Sequence, residues 1–106
     1  MDTGRYSIYD MLEKNVHVLI PPRFGGGEVN GVLEKVYRDV IQKTIEMNFH
    51  GNVTKYVFRE PSEIYRDSDT VTFIYKEMVE DKDDFGTISG ETEHIVATIM
   101  FEVRTI

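Results

Sequence analysis

The chain has 106 residues, 41% of them hydrophobic and 29% charged, with 12 Lys+Arg against 19 Asp+Glu for a net charge of −7. That is one domain, residues 1–106 as a single unit, too apolar for a disordered chain and too short for two cores. The absence of cysteine excludes disulfide frameworks, thiol chemistry and cysteine-ligated zinc and suits a reducing compartment such as the cytoplasm, while the acidic balance argues against direct nucleic-acid binding.

No apolar run approaches the roughly 18 residues of a membrane span, and Met1–Ser7 does not read as a secretory signal. Ser7 and Asp10 have capping-box spacing, and Ile8, Met11 and Leu12 share one side of a short helix ending near Asn15. Val16–Ile20 is a continuous apolar run with His17 inside it, stopped by Pro21-Pro22, and reads as a buried strand. Arg23-Phe24-Gly25-Gly26-Gly27 follows as a flexible connection; without a Walker lysine–serine or a GxGxxG spacing it is not a phosphate cradle.

Val29, Val32, Leu33, Val36, Tyr37, Val40, Ile41 and Ile45 then recur at helical spacing, with Glu34, Lys35, Arg38, Asp39, Gln42, Lys43 and Glu46 on the other side. The spacing predicts an amphipathic helix of about five turns, capped by Asn30 and stopped near Gly51. From Val53 the period changes to two. Val53–Glu60 predicts a strand ended by Pro61; Thr70–Glu80 predicts another with Val71, Phe73, Tyr75 and Val79 inward. In the last, Ile95, Ala97, Ile99, Phe101 and Val103 face inward. The expected architecture is α+β: one long helix packed on an antiparallel sheet of about four strands, in the order α-β-α-β-β-β. The other sheet face carries Val57, Ile74, Met78, Val96 and Met100, enough apolar surface to suggest a second copy, as in a homodimer, or another partner over it.

The negative charge is concentrated. Between Glu77 and Glu93, seven carboxylates stand against Lys82 alone, and the rest of the chain is close to neutral. This segment falls between the last two strands, so Glu80, Asp81, Asp83, Asp84, Glu91 and Glu93 are expected at the tip of a long hairpin. Such a cluster is either a solvated tip that keeps the chain soluble or a contact surface for a protein partner with a basic surface. Asp81–Gly86 lacks the spaced oxygens of a calcium loop. His17, His50 and His94 have no partner at metal-ligand spacing, so neither a metal nor any other cofactor is indicated. Ser7, Ser62, Ser68 and Ser89 sit in turn or cap contexts without a nucleophile elbow, and no catalytic set emerges. Tyr6, Tyr9 and Tyr65 are candidate exposed contacts.

A strand, a Gly-rich loop ending in Asn30-Gly31, a helix bearing Asp39, Phe58-Arg59-Glu60-Pro61 and a strand opened by Asp69-Thr70-Val71 together resemble the pattern of hotdog-fold proteins over about residues 16–106. That resemblance implies a sheet wrapped around a helix, a dimer, and acyl-CoA or acyl-carrier-protein thioesters as ligands, with Asp39 as the acid and Gly31 supplying an amide. The His-Gly-Gly of that pattern is missing. The same order of elements is similar to a cystatin- or monellin-type sheet gripping a helix, without the inhibitory motifs. The leading expectation is a small acidic protein-binding or regulatory module without catalysis. The alternatives are an acyl-thioesterase or acyl-binding protein and a structural homo-oligomer subunit.

Overall fold

Residues 8–104 are described by the computed structural model, and they contain seven strands, two short 3-10 turns and no α-helix. A 3-10 turn at Ile8–Met11 precedes β1 (Asn15–Leu19); a second at Pro22–Phe24 precedes β2 (Glu28–Asp39). Then follow β3 (Thr44–Phe49), β4 (Lys55–Arg59), β5 (Glu63–Asp67), β6 (Thr70–Lys82) and β7 (Ile88–Arg104). All pairs are antiparallel, in the order β4-β3-β2-β1-β7-β6-β5.

The predicted α+β architecture is therefore overturned, and the reason lies in β2. Its pairing with β3 slips between Leu33 and Lys35, where Glu34 is an extra residue. A strand buries every second residue, so Val29 and Leu33 are four apart; the bulge adds one, and the next buried residue is Val36. Spacings of four and three are also those of a helix face, so a bulged strand mimicked an amphipathic helix. The short N-terminal helix is a single 3-10 turn, and its Ser7 cap and Tyr6 lie outside the described residues.

β4 and β5 are the two edges of the hydrogen-bonding order, yet only Glu60-Pro61-Ser62 separates them. A flat seven-stranded sheet would hold its edges about 29 Å apart, whereas four residue steps reach about 14 Å at most. The sheet is consequently curled into a barrel. Six antiparallel steps leave β4 and β5 running in the same direction, so they act as one bent strand that changes neighbours. The exchange happens at Pro61: the Glu60 amide donates to the Lys43 carbonyl at 2.8 Å, and the Ser62 amide to the Ile74 carbonyl at 2.8 Å. Proline, with no N–H to place, suits the residue between them.

The barrel is filled by Val16, Val18, Leu33, Ile45, Met47, Phe49, Phe58, Val71, Phe73, Tyr75, Ile99 and Phe101, all essentially inaccessible. Phe58 on β4 meets Phe73 and Phe101 edge-on, with ring centres 6.4 and 5.9 Å apart, and so seals the curled sheet from within. Ile8 and Met11 add to this core from the first 3-10 turn, and Phe24 from the second lies against Tyr75 at 4.8 Å.

Candidate functional site: an acidic β-arm

Beyond Tyr75 and Val96, the β6–β7 hairpin leaves the barrel and packs against no other core element. Residues 77–80 and 82–95 are all exposed. Two bulges shape this arm. At its root Val96 is the extra residue between the pairs Tyr75–Ala97 and Lys76–Ile95; near its tip Ser89 is extra between Asp81–Gly90 and Lys82–Ile88. The molecule is accordingly elongated, 55 Å by 30 Å by 26 Å.

The six carboxylates singled out from the sequence are all on this arm. Glu80 and Glu91 are direct cross-strand partners, an arrangement of like charges that disfavours the ribbon unless a cation or basic group screens it. The Asp81 carboxylate accepts a hydrogen bond from the Thr92 hydroxyl, and its carbonyl accepts one from Ser89 at 3.1 Å. Asp83 builds the turn, its Oδ1 accepting the amides of Phe85 at 2.9 Å and Thr87 at 2.8 Å, with Asp84 beside it in the loop. Glu93 reaches Lys76 at 3.7 Å, and Lys76 also reaches Glu63 at 3.1 Å. That hydrogen bond to Glu63, reinforced by the charges of both carboxylates, raises the Lys76 ammonium above its ordinary value.

Two inward assignments fail on the arm. The bulge at Val96 moves Ile95 to the outward face, and Val79 has left the barrel by the time its side chain would enter a core; both are exposed. A residue count cannot reveal where a hairpin outgrows its barrel, so Ile88, Ile95 and Leu19 were missed as surface groups.

The residues carried over from the hotdog resemblance are placed differently. Asp39 ends β2 and closes the β2–β3 turn, its Oδ1 accepting the amides of Ile41 at 3.0 Å and Gln42 at 2.9 Å. Gly31 is mid-strand, paired with Val16. With no central helix there is no wrapped architecture, and the acyl-thioester reading built on it is withdrawn. His17 sits outward on β1 between Glu28 at 3.5 Å and Glu102 at 3.7 Å, His50 lies 3.4 Å from Glu34, and His94 faces Glu77 on the arm. Among the described residues no group of three or more His, Asp or Glu side chains converges as a metal-ligand set. No helix among them is long and apolar enough to cross a membrane. In comparisons with known proteins, no family model, no curated protein and no solved structure matches this chain.

Proposed function

We propose that this chain is a non-catalytic protein-binding module whose β-arm grips a partner protein through a basic surface. The observation that carries this reading is the separation of charge from fold. Seven carboxylates lie in Glu77–Glu93 against Lys82 alone, on a projecting ribbon. Clustered carboxylates on a projection attract basic surfaces at long range and fix the orientation of encounter. The absence of cysteine is compatible with a reducing compartment such as the cytoplasm.

The test is to neutralise the arm by Glu80→Gln, Asp81→Asn, Asp83→Asn and Asp84→Asn together. Proteins captured by the intact chain from its source cells are then titrated against both forms over a range of salt. The neutralised form should bind at least about tenfold more weakly and with a shallower salt dependence. Equal affinity and equal salt dependence would refute the reading.

A further inference from the structure

The arm is a two-stranded ribbon, and on its β7 side the sheet stops. β1 pairs with β7 only over residues 101–104 and is followed by Pro21-Pro22, so among the described residues no strand lies on that side of β7 over residues 88–100. The bulges at Val96 and Ser89 bound a regular stretch, residues 90–95, about 20 Å long. An incoming strand can pair along it without a break in register.

Hydrogen bonds at both ends of the arm fix which backbone groups face this edge. In an antiparallel pair, successive residues alternate between turning their N–H and C=O groups into the seam and turning them out. The Lys76 N–H donates to the Ser62 hydroxyl oxygen at 2.9 Å, on the β5 side, so the pair Lys76–Ile95 is turned out. At the tip the Asp83 N–H donates into the hairpin, to the Thr87 carbonyl at 2.9 Å. Counted from either end, β6 has the same phase: Lys76, Met78, Glu80 and Lys82 are turned out. Across the seam Ile95, Glu93 and Glu91 therefore present their N–H and C=O groups to the open side of β7. A row of this kind is a template for one more strand.

Charge selects the occupant. Glu91 and Glu93 share one face of this edge with Ile95, and Glu80 stands beside Glu91. A second copy would bring the same glutamates and a net charge of −7, whereas a basic segment is their complement. The edge already holds one such group: Arg23 Nη1 donates to the Val96 carbonyl at 2.9 Å, one residue beyond the regular stretch. β1, on the same side of β7, is antiparallel to it, and a strand continuing the line of β1 runs the same way. On the face shared with the glutamates, its side chains meet Ile95, Glu93 and Glu91 in turn. That order calls for an apolar residue followed, at every second position, by two basic ones.

We propose that the arm captures its basic partner by strand addition, an extended segment of pattern apolar-x-basic-x-basic pairing antiparallel with β7 at residues 91–95. This rests on the reading of the arm as the contact element for a basic protein and supplies its mode of binding. The probe is a labelled peptide, Thr-Ile-Thr-Arg-Thr-Arg-Thr, titrated onto the full chain by fluorescence anisotropy and followed by amide exchange. At saturation, exchange at Glu91, Glu93 and Ile95 should slow at least about tenfold, while Thr92 and His94, already turned into the seam, should change little. Methylating the backbone nitrogens of the peptide's isoleucine and arginines, which face β7, should weaken binding at least about tenfold at unchanged charge. Methylating its inner threonines, which face away, should not. Glu93→Pro should bind more weakly than Glu93→Gln, since both lose the charge and only proline loses the edge N–H; should the proline variant not fold, the methylated peptides carry the comparison.

Binding indifferent to methylation, protection of Met78 and Glu80 on the other edge, or no binding up to about 1 mM peptide would overturn strand addition at β7. So would protection of these amides that grows with protein concentration alone, the signature of a second copy. Methylation-independent binding that still needs the arm's carboxylates leaves the acidic reading standing without strand addition. Edge protection by the peptide, with captured proteins indifferent to neutralisation, removes the acidic reading and keeps the edge.

Discussion

The Tyr75 hydroxyl donates a 2.6 Å hydrogen bond to the Arg59 carbonyl oxygen, and the Arg59 guanidinium carbon lies 5.2 Å from the centre of the Tyr75 ring. These contacts join β6 to the end of β4, two strands with no ladder between them. They sit where the bent β4–β5 segment changes neighbours and where the arm leaves the barrel. One side chain thus ties the closure of the fold to the root of the candidate binding element.

Removing the hydroxyl should loosen that closure. Tyr75→Phe keeps the ring against Phe24 but leaves the Arg59 carbonyl without its donor, at a cost of about 1–2 kcal/mol in urea unfolding. Amide exchange should quicken first at Glu60 and Ser62, whose hydrogen bonds flank Pro61. Uniform acceleration across the barrel would mean that the hydroxyl contributes only general stability.

The same phenol sets an alkaline limit. Burial pushes Tyr75 up to about 12, against the Arg59 guanidinium, which pulls the other way. Its folded value lies above the unfolded one near 10, so the folded state holds a proton that the unfolded chain releases. The stabilisation is complete below about pH 10 and is lost as pH rises from about 10 to about 12. Lys76, also raised, adds to the loss in the alkaline range. Phenolate absorbance should show one tyrosine ionising late, coincident with unfolding, and Tyr75→Phe should lack that step.

Phe58 carries the closure in apolar terms. Phe58→Ala would leave a cavity facing Phe73 and Phe101, and a loss of about 3–5 kcal/mol is expected from chemical denaturation. Set against the roughly 5–15 kcal/mol typical of a domain, this removes a large share of the stability and should lower the denaturation midpoint markedly.

Much of the C-terminal half was legible because its strands alternate cleanly: Val71, Phe73, Tyr75, Ile99 and Phe101 are inward as their spacing requires. The N-terminal half was not, since the bulge at Glu34 imposes helical spacing on a strand and Val40 and Ile41, read as its continuation, are turn residues open to solvent. The β-branched content of Val29–Ile45 favoured a strand and Gly31 disfavoured a helix interior, and the periodicity overrode both. For the candidate site, charge clustering located the arm, because unpaired like charges must be solvated wherever the chain goes. Of its apolar face, Met78 and Met100 follow from the alternation, whereas Ile95 does not, since whether it points in or out depends on a single bulged residue.

Gly31 offers a direct check on the strand assignment. A methyl group there would meet only the Phe49 Cβ, at an ordinary 3.9 Å. Gly31→Ala should therefore stabilise the protein by about 0.5–1 kcal/mol, by restricting the unfolded chain. A marked destabilisation would contradict the β1–β2–β3 register at this position.

Asp83 separates the turn's geometry from its charge. Its Oδ1 accepts two amides, its own N–H donates to the Thr87 carbonyl at 2.9 Å, and its carbonyl accepts the Gly86 amide at 3.0 Å. Asp83→Ala deletes the side-chain acceptor and should destabilise the tip by about 1 kcal/mol. Because the tip touches no core residue, global unfolding should be unchanged, and the loss should show as roughly fivefold faster amide exchange at Thr87 and its neighbours. Asp83→Asn keeps an acceptor oxygen in the same place and should exchange at the wild-type rate while removing one charge. If the two variants exchange equally fast, the negative charge rather than the Asx geometry holds the turn, and neutralising the arm would also unfold its tip.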